Sequence, residues 1–124
     1  MIVVDSSVWI DHLRRANGEL ARLLGVGGVL CHPFVIGELA CGHLRQRQAF
    51  LTELAALPVA PQARHAEALE FVDRHALAGH GIGWADVHLL VATALAQPAK
   101  LWTRDKRLAA AAAALGLAHL QGGH

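Results

Sequence analysis

Met1-Ile-Val-Val-Asp5-Ser-Ser7 is the stretch that decides the fold of this chain. Its three apolar residues, with no polar residue between them, predict a strand over 2–4 that is buried on both faces. The chain then becomes polar at Asp5, and Ser6 or Ser7 is expected to cap the following helix. Ligands of open parallel sheets bind outside the carboxyl ends of strands, so Asp5 lies where a functional site is expected. Taken alone, Asp5 is better explained as a helix cap, and its role depends on whether other carboxylates reach the same edge.

The composition predicts one domain over residues 1–124 and argues against several classes of protein. The chain is 54% hydrophobic, which argues against disorder. Its longest apolar run, 108–118, is shorter than the roughly 20 residues that span a bilayer. The first residues show no signal-like segment, so we expect a cytoplasmic protein. Cys31 and Cys41 lie on different predicted elements and are expected to be small buried hydrophobes.

Apolar periodicity divides the chain into alternating helices and strands. The predicted strands cover 2–4, 29–31, 57–60, 99–102 and 117–120. Helices are predicted between them, including a long one over 63–78. A glycine-rich loop covers 79–83, and residues 121–124 are expected to be frayed. This alternation predicts an α/β fold, a three-layer α/β/α sandwich around a short parallel sheet of four or five strands, similar to a Rossmann fold.

Four carboxylates come from distant segments to one predicted edge of this sheet. Asp5 and Asp105 directly follow apolar strands, and Glu38 lies about one turn into the helix after the second strand. Asp86 lies in the first turn of a helix that is apolar on nearly every face. Because strand C-ends and the N-ends of the following helices share one edge, we expect these four side chains to converge.

Such a cluster of like charges needs compensation. Two carboxylates about 5 Å apart repel each other by roughly 3 kcal/mol at an effective dielectric of 20. A helix N-terminus stabilises a nearby carboxylate by only about 0.3–1 kcal/mol. Either some of the carboxylates are protonated or a divalent cation lies among them. An all-oxygen donor set suits Mg²⁺ or Mn²⁺, and a water on such an ion is suited to attack a phosphodiester.

The segments that carry these acids resemble, in order, the four motifs of the PIN-domain family. They are Ile2-Val-Val-Asp5-Ser-Ser-Val-Trp9, Pro33-Phe-Val-Ile-Gly-Glu38-Leu39, Ala85-Asp86-Val-His-Leu-Leu-Val-Ala-Thr-Ala94 and Leu101-Trp-Thr103-Arg-Asp105. The resemblance covers essentially the whole chain and is greatest to the VapC-type ribonuclease toxins of toxin–antitoxin pairs. It implies a Mg²⁺- or Mn²⁺-dependent endoribonuclease that cuts structured RNA and leaves a 3′-hydroxyl and a 5′-phosphate.

The resemblance also assigns roles to individual residues. It implies that the metal-site and catalytic residues are Asp5, Glu38, Asp86 and Asp105, where Asp105 either binds the metal directly or orients a water. Thr103 and Ser7 would support them by hydrogen bonding. The family further implies a homodimer and a cognate antitoxin whose C-terminal segment covers the site.

Several cations and one aromatic residue near these positions are candidate RNA contacts. They are Arg14 and Arg15 at the end of the first helix, Arg104, Lys106 and Arg107 around Asp105, and Trp84 beside the glycine loop. With a net charge of only +1, RNA binding would depend on such local clusters and would weaken with salt.

Other interpretations remain open for parts of this pattern. Asp86 could complement a helix dipole, and Asp105 could be a turn or N-cap residue. A phosphoaspartate phosphatase would use Asp5 as nucleophile, but such enzymes usually have a second aspartate where this chain has Ser7. A catalytically inactive PIN-like RNA-binding or protein-interaction module is the non-enzymatic alternative, although none of the four acids is missing. The Cys and His spacings match no common zinc pattern.

Overall fold

The computed structural model describes residues 1–120 and alternates short strands with helices. The strands are β1 (Ile2–Val4), β2 (Val29–Leu30) and β3 (Lys100–Trp102). The helices are α1 (Ser6–Arg14), α2 (Gly18–Gly25), α3 (Pro33–Ala40), α4 (Arg47–Ala55), α5 (His65–Arg74), α6 (Trp84–Leu95) and α7 (Lys106–Ala114). The predicted frayed tail, 121–124, lies outside the described residues.

The sheet is parallel, and β1 is its central strand. The strand order is β2-β1-β3, with Ile2 opposite both Val29 and Lys100. Val3 and Val4 have no exposed surface, so the prediction of a first strand buried on both faces is confirmed. The backbone N–H of Asp5 donates to Trp102 O over 2.9 Å, which extends the β1–β3 pairing to the candidate site.

The sheet has three strands among the described residues, and the prediction of four or five is wrong. The segments 57–60 and 117–120 each form only an isolated parallel bridge, Cys31 with Val59 and Leu101 with Ala118. Pro58 and Pro61 on either side of Val59 lack the N–H groups that a longer ladder needs. The second segment pairs with β3 only around Leu101, whose N–H donates to Leu117 O and whose carbonyl oxygen accepts from the N–H of His119. Each segment therefore adds a single bridge at one edge of the sheet and does not form a full strand.

The predicted helices are present, with one clear difference in length. The helix expected over 63–78 covers only His65–Arg74, because Ala76 has a left-handed backbone with φ of 51° that a helix cannot contain. All residues from Val87 to Thr93 in α6 are buried, as its apolar sequence predicts. This burial fixes the helix that carries Asp86.

The hydrophobic core packs around β1 and includes two of the three tryptophans. Trp9 and Trp102 are each 3% exposed. Cys31 is buried as expected, but Cys41 is exposed because it caps the C-terminus of α3, so the prediction is wrong for that residue. None of the helices described is long and apolar enough to cross a membrane.

Candidate active site

The Asp5 carboxylate is buried and held by two hydroxyl groups. Asp5 is 5% exposed, and its Oδ2 accepts from Ser7 Oγ over 2.6 Å and from Thr103 Oγ1 over 2.8 Å. Asp5 occupies the N-cap position of α1, but its side chain makes no capping bond. The prediction that Ser6 or Ser7 caps α1 is therefore wrong, because the helix already begins at Ser6 and both serine hydroxyls turn toward carboxylates.

Ser7 and Thr103 also connect the start of α1 with the chain beyond β3. Thr103 Oγ1 accepts from the backbone N–H of Asp105 over 3.0 Å, and Ser7 Oγ accepts from that of Arg104 over 3.0 Å. Both hydroxyls thus lie where a supporting residue is needed, between the first and last of the four acids. Their supporting role in a reaction stays a prediction.

Glu38 approaches the site from α3. Ser6 Oγ donates to Glu38 Oε1 over 3.3 Å, a contact that the sequence did not predict because Ser6 was interpreted only as a cap. The residue is exposed, yet enough protein surrounds its carboxyl group to raise the pKa, first through desolvation and then through the charges of Asp5 and Asp86. The hydrogen bond from Ser6 opposes this rise.

Asp86 has two functions in the structure. Its Oδ2 accepts from the backbone N–H of Gly83 over 3.1 Å, so it stabilises the first turn of α6, as the simpler interpretation proposed. Burial raises the pKa of its carboxyl group, the bond from Gly83 lowers it, and the charges of Asp5 and Asp105 raise it again. The same side chain therefore caps a helix and faces other carboxylates.

Asp105 is the N-cap of α7, as one interpretation of the sequence proposed. Its Oδ1 accepts from the backbone N–H groups of Arg107 and Leu108 over 2.9 and 3.1 Å. The residue is exposed, and its Oδ2 makes no hydrogen bond to any other described residue. One carboxylate oxygen is therefore occupied by the helix and one is available.

Together, these four carboxylates form an electrostatically coupled cluster at the carboxyl ends of β1 and β3. Asp5 acts on Glu38 and Asp86, and Asp105 acts on Asp86. Within residues 1–120, no three His, Cys, Asp or Glu side chains are arranged to hold a metal ion together. The donor chemistry nevertheless fits a hard divalent cation, because carboxylate oxygens are the ligands that Mg²⁺ and Mn²⁺ prefer. The hydrogen bonds that these carboxylates accept offset their mutual repulsion only in part.

The candidate RNA contacts lie on the elements that carry these acids or beside them. Arg104 Nη1 lies 3.6 Å from Asp11 Oδ2, while Lys106 and Arg107 are exposed in the first turn of α7. Arg14 and Arg15 are exposed at the end of α1. Trp84 is 38% exposed, and its ring contacts His88 edge-on with the centroids 4.8 Å apart. RNA binding by these residues stays a prediction.

Comparisons with known proteins agree with the fold and the motifs. The family model for the PIN domain matches residues 2–114. Over 118 residues the chain is 51% identical to Ribonuclease VapC32 of Mycobacterium tuberculosis, found in strains CDC 1551 / Oshkosh and H37Rv, and the match covers 95% of each protein. The crystal structure of PAE2754 from Pyrobaculum aerophilum is similar with a TM-score of 0.58, at 16% identity, over 89% of this chain and 78% of that one.

The three matches differ in what they establish. The archaeal structure supports the fold alone, since its sequence identity is low. The family model and the mycobacterial relative each cover nearly the whole chain, and the residues that the family model matches include all four acidic positions. On this evidence the chain belongs to the PIN-domain family, in its VapC-type branch.

Proposed function

We propose that this chain is a metal-dependent endoribonuclease that hydrolyses phosphodiester bonds of structured RNA as the toxin of a type II toxin–antitoxin system. The observation that carries the proposal is the buried Asp5 carboxylate, fixed by two hydroxyl donors at the end of the central strand and coupled to further acids. A relative named as a ribonuclease, with half of its residues identical over nearly its full length, supports this reaction class.

The residues proposed to hold Mg²⁺ or Mn²⁺ are Asp5, Glu38, Asp86 and Asp105. Both hydroxyl donors to Asp5 bind Oδ2, so Oδ1 remains available as a ligand. Asp86 and Asp105 likewise each use one oxygen to cap a helix and keep the other. A bound divalent cation supplies charge to the scissile phosphate and lowers the pKa of a water.

Electrostatics favour a cation-dependent reaction over one that uses the protein alone. Four carboxylates at one edge also repel an RNA phosphate. Burial, and secondarily the neighbouring acids, raise the pKa of Glu38 and of Asp86, and a cation would favour their charged forms. The same cation would attract the phosphate. The acids then position the cation and accept protons, while Ser7 and Thr103 keep Asp5 oriented.

The two alternative functions have less support. As a phosphatase nucleophile, Asp5 would need the second aspartate that is replaced by Ser7, which instead hydrogen-bonds to Asp5. An inactive binding module would tolerate loss of an acidic position, but all four acids are present and electrostatically coupled.

Metal binding gives a direct test of the proposed centre. We expect RNA cleavage by the purified protein to stop in excess EDTA and to return with Mn²⁺. Calorimetric titration of the metal-free protein should show Mn²⁺ binding that Asp86→Asn weakens by about tenfold or more, because a ligand charge is lost while the bond from Gly83 is kept. Asp73→Asn, at an exposed position of α5, is the matched control and should bind Mn²⁺ like the wild type. Cleavage that persists in EDTA would disprove the metal dependence.

A groove beside Glu38 supports the proposed antitoxin. It has a volume of about 460 Å³ and contains the apolar side chains of Ile10 and Leu13, which are 39% and 48% exposed. Apolar grooves of this kind bind amphipathic partner segments, and a segment here would lie next to Glu38. The homodimer that the family implies also remains a proposal.

We expect Leu13→Glu to reduce at least tenfold the affinity for the protein encoded beside this gene, because a charge would replace an apolar contact. The measurement is a pull-down titration of the two purified proteins. Leu69→Glu on α5 is the control, since Leu69 is equally exposed at 48% but lies elsewhere. Equal losses in both variants would argue against this groove.

A further inference from the structure

A second cleft lies between α7 and the loop that precedes α6. Its volume is about 410 Å³, within the usual range for sites that bind small molecules. The residues that line it are His75, Ala76, Leu77, His80, Ile82, Lys106, Arg107, Ala110, Ala111, Ala114 and Leu115. None of them is acidic.

The two sides of this cleft have complementary chemistry. Lys106 and Arg107 are exposed and provide two cations, and neither forms an ion pair with any residue in the described part of the chain. Three alanines of α7 add apolar surface, and His75 and His80 line the cleft from the segment between α5 and α6. A ligand with an anionic group and a flat, largely apolar ring would satisfy both parts, and a nucleotide has this chemistry.

Gly81 allows Arg107 to lie against the loop. Gly81 has φ of 73°, and a Cβ there would lie 2.7 Å from both Cδ and Nη1 of Arg107. The arginine side chain therefore packs directly on the glycine backbone, which no other residue would permit without displacement. This packing holds the guanidinium group at the mouth of the cleft, so less conformational entropy is lost when it binds an anion.

Both walls of the cleft lead into the candidate active site. Asp105 accepts a hydrogen bond from the backbone N–H of Arg107, so the cationic wall begins at one site carboxylate. The loop wall continues to Gly83, whose backbone N–H binds Asp86. The cleft is therefore connected to Asp105 and Asp86 through the residues that line it or adjoin its lining.

We propose that the cleft binds one unpaired nucleotide next to the cleaved phosphodiester, with its phosphate on Lys106 and Arg107 and its base on the alanine face of α7. The proposal rests on the proposed ribonuclease function and adds a base-binding subsite to it. The cations favour an anionic partner over a second copy of this chain, whose net charge is +1. The apolar surface beside the cations favours a nucleotide, which carries a ring next to its phosphate, over an acidic peptide.

Mononucleotides test the cleft without any cleavage. We expect 5′-UMP and 5′-AMP, in EDTA, to shift the NMR methyl signals of Ala110, Ala111 and Ala114 and to bind about tenfold more tightly than inorganic phosphate. Ala110→Trp should fill the cleft and abolish these shifts. Ala113→Trp, at an exposed position of the same helix outside the cleft, should retain them. Nucleotide shifts that are absent, or that persist in Ala110→Trp, would overturn the proposal.

A single-stranded RNA oligomer tests the phosphate contacts. In EDTA, the double variant Lys106→Gln/Arg107→Gln should reduce the slope of log affinity against log salt by about 1.4, the value for two lost contacts to a single strand. The control Arg64→Gln/Arg74→Gln removes the same charge from α5 and its N-cap and should change the slope little. Equal reductions in both variants would show that the slope depends only on the total charge of the protein, which would contradict the proposal.

Different results would contradict the proposed nucleotide-binding cleft and the proposed ribonuclease function. If the wild type cleaves RNA with metal and Ala110→Trp cleaves equally well, the cleft has no role while the ribonuclease assignment stands. If the wild type cleaves no RNA, the proposed function fails first. If Ala110→Trp changes the sedimentation mass but leaves nucleotide binding unchanged, the cleft belongs to a contact between copies and the proposal is wrong.

Discussion

Asp5→Asn is expected to reduce RNA cleavage on the order of a thousandfold, because it removes the charge of the most buried acid in the candidate site. Asparagine has nearly the same shape as aspartate, and its carbonyl oxygen can still accept from Ser7 and Thr103. The change therefore alters the charge at the end of β1 while leaving the hydrogen-bonded frame in place. A loss of activity would report on metal or phosphate binding and not on folding.

The measurement is single-turnover cleavage of RNA at saturating Mn²⁺, with circular dichroism and a thermal melt of each variant. The melting temperature of Asp5→Asn should equal or exceed that of the metal-free wild type, because one source of repulsion is removed. The control Glu53→Gln changes an exposed residue of α4 and should retain full activity. Cleavage by Asp5→Asn within tenfold of the wild type would contradict the proposed centre.

His32 is expected to make the protein lose at most about 3 kcal/mol of folding stability as the pH falls from 6.5 to 4. The residue is 1% exposed, and its Nδ1 accepts from the backbone N–H of Phe34 over 2.9 Å, which caps the start of α3. The imidazole must therefore be neutral in the folded state. Burial, and secondarily the charge of His88, lowers the pKa of His32 to about 4.

The direction in which stability changes with pH follows from the number of protons that the folded and unfolded states bind. Below the ordinary pKa of 6.5 the unfolded chain binds a proton at His32 and the folded chain does not, so acid favours unfolding until the pH reaches about 4. Burial also lowers the pKa of His88 and of His119, which adds to the effect. The raised pKa of Glu38 and that of Asp86 act in the opposite direction, because protonation of these acids stabilises the fold.

Urea unfolding at several pH values between 7.5 and 4 measures this dependence. His32→Asn keeps a side-chain acceptor at the N-cap but cannot titrate, so its stability should fall less steeply over the same range. His80→Asn, in the exposed glycine loop, should follow the wild type. Parallel curves for His32→Asn and the wild type would show that another group is responsible.

Much of the candidate site follows from local sequence signals. The unbroken apolar run before Asp5 and the position of Asp105 after β3 were sufficient to place both at the carboxyl edge of a parallel sheet. Asp86 was also located correctly, although the structure shows that it caps α6 as well. These inferences succeed because each depends on a strand and the few residues that follow it.

Other features depend on contacts that short segments do not reveal. The number of strands was overestimated because Val59 and Ala118 have strand-like neighbours but meet the sheet at one residue each. The contact of Ser6 with Glu38 joins residues that are 32 positions apart in the sequence, on two different helices. The cleft on α7 forms only when its alanine face meets the loop at Gly81, and an alanine run gives no sequence signal of an unfilled surface. His32 could have been found, since it directly precedes a proline at the first helical position.

The central position of β1 has a consequence for the synthesis of the protein. The ribosome makes β1 before both of its neighbours in the sheet, and β3 follows only after six helices, α1 to α6. The hydrogen bond between Thr103 and Asp5 spans 98 positions of the chain. Contacts of such long range form late in folding, because the loop they close must first be ordered. The candidate active site is therefore absent from every nascent chain that ends before Thr103, and any hydrolytic activity must wait until β3 and the residues after it have been made.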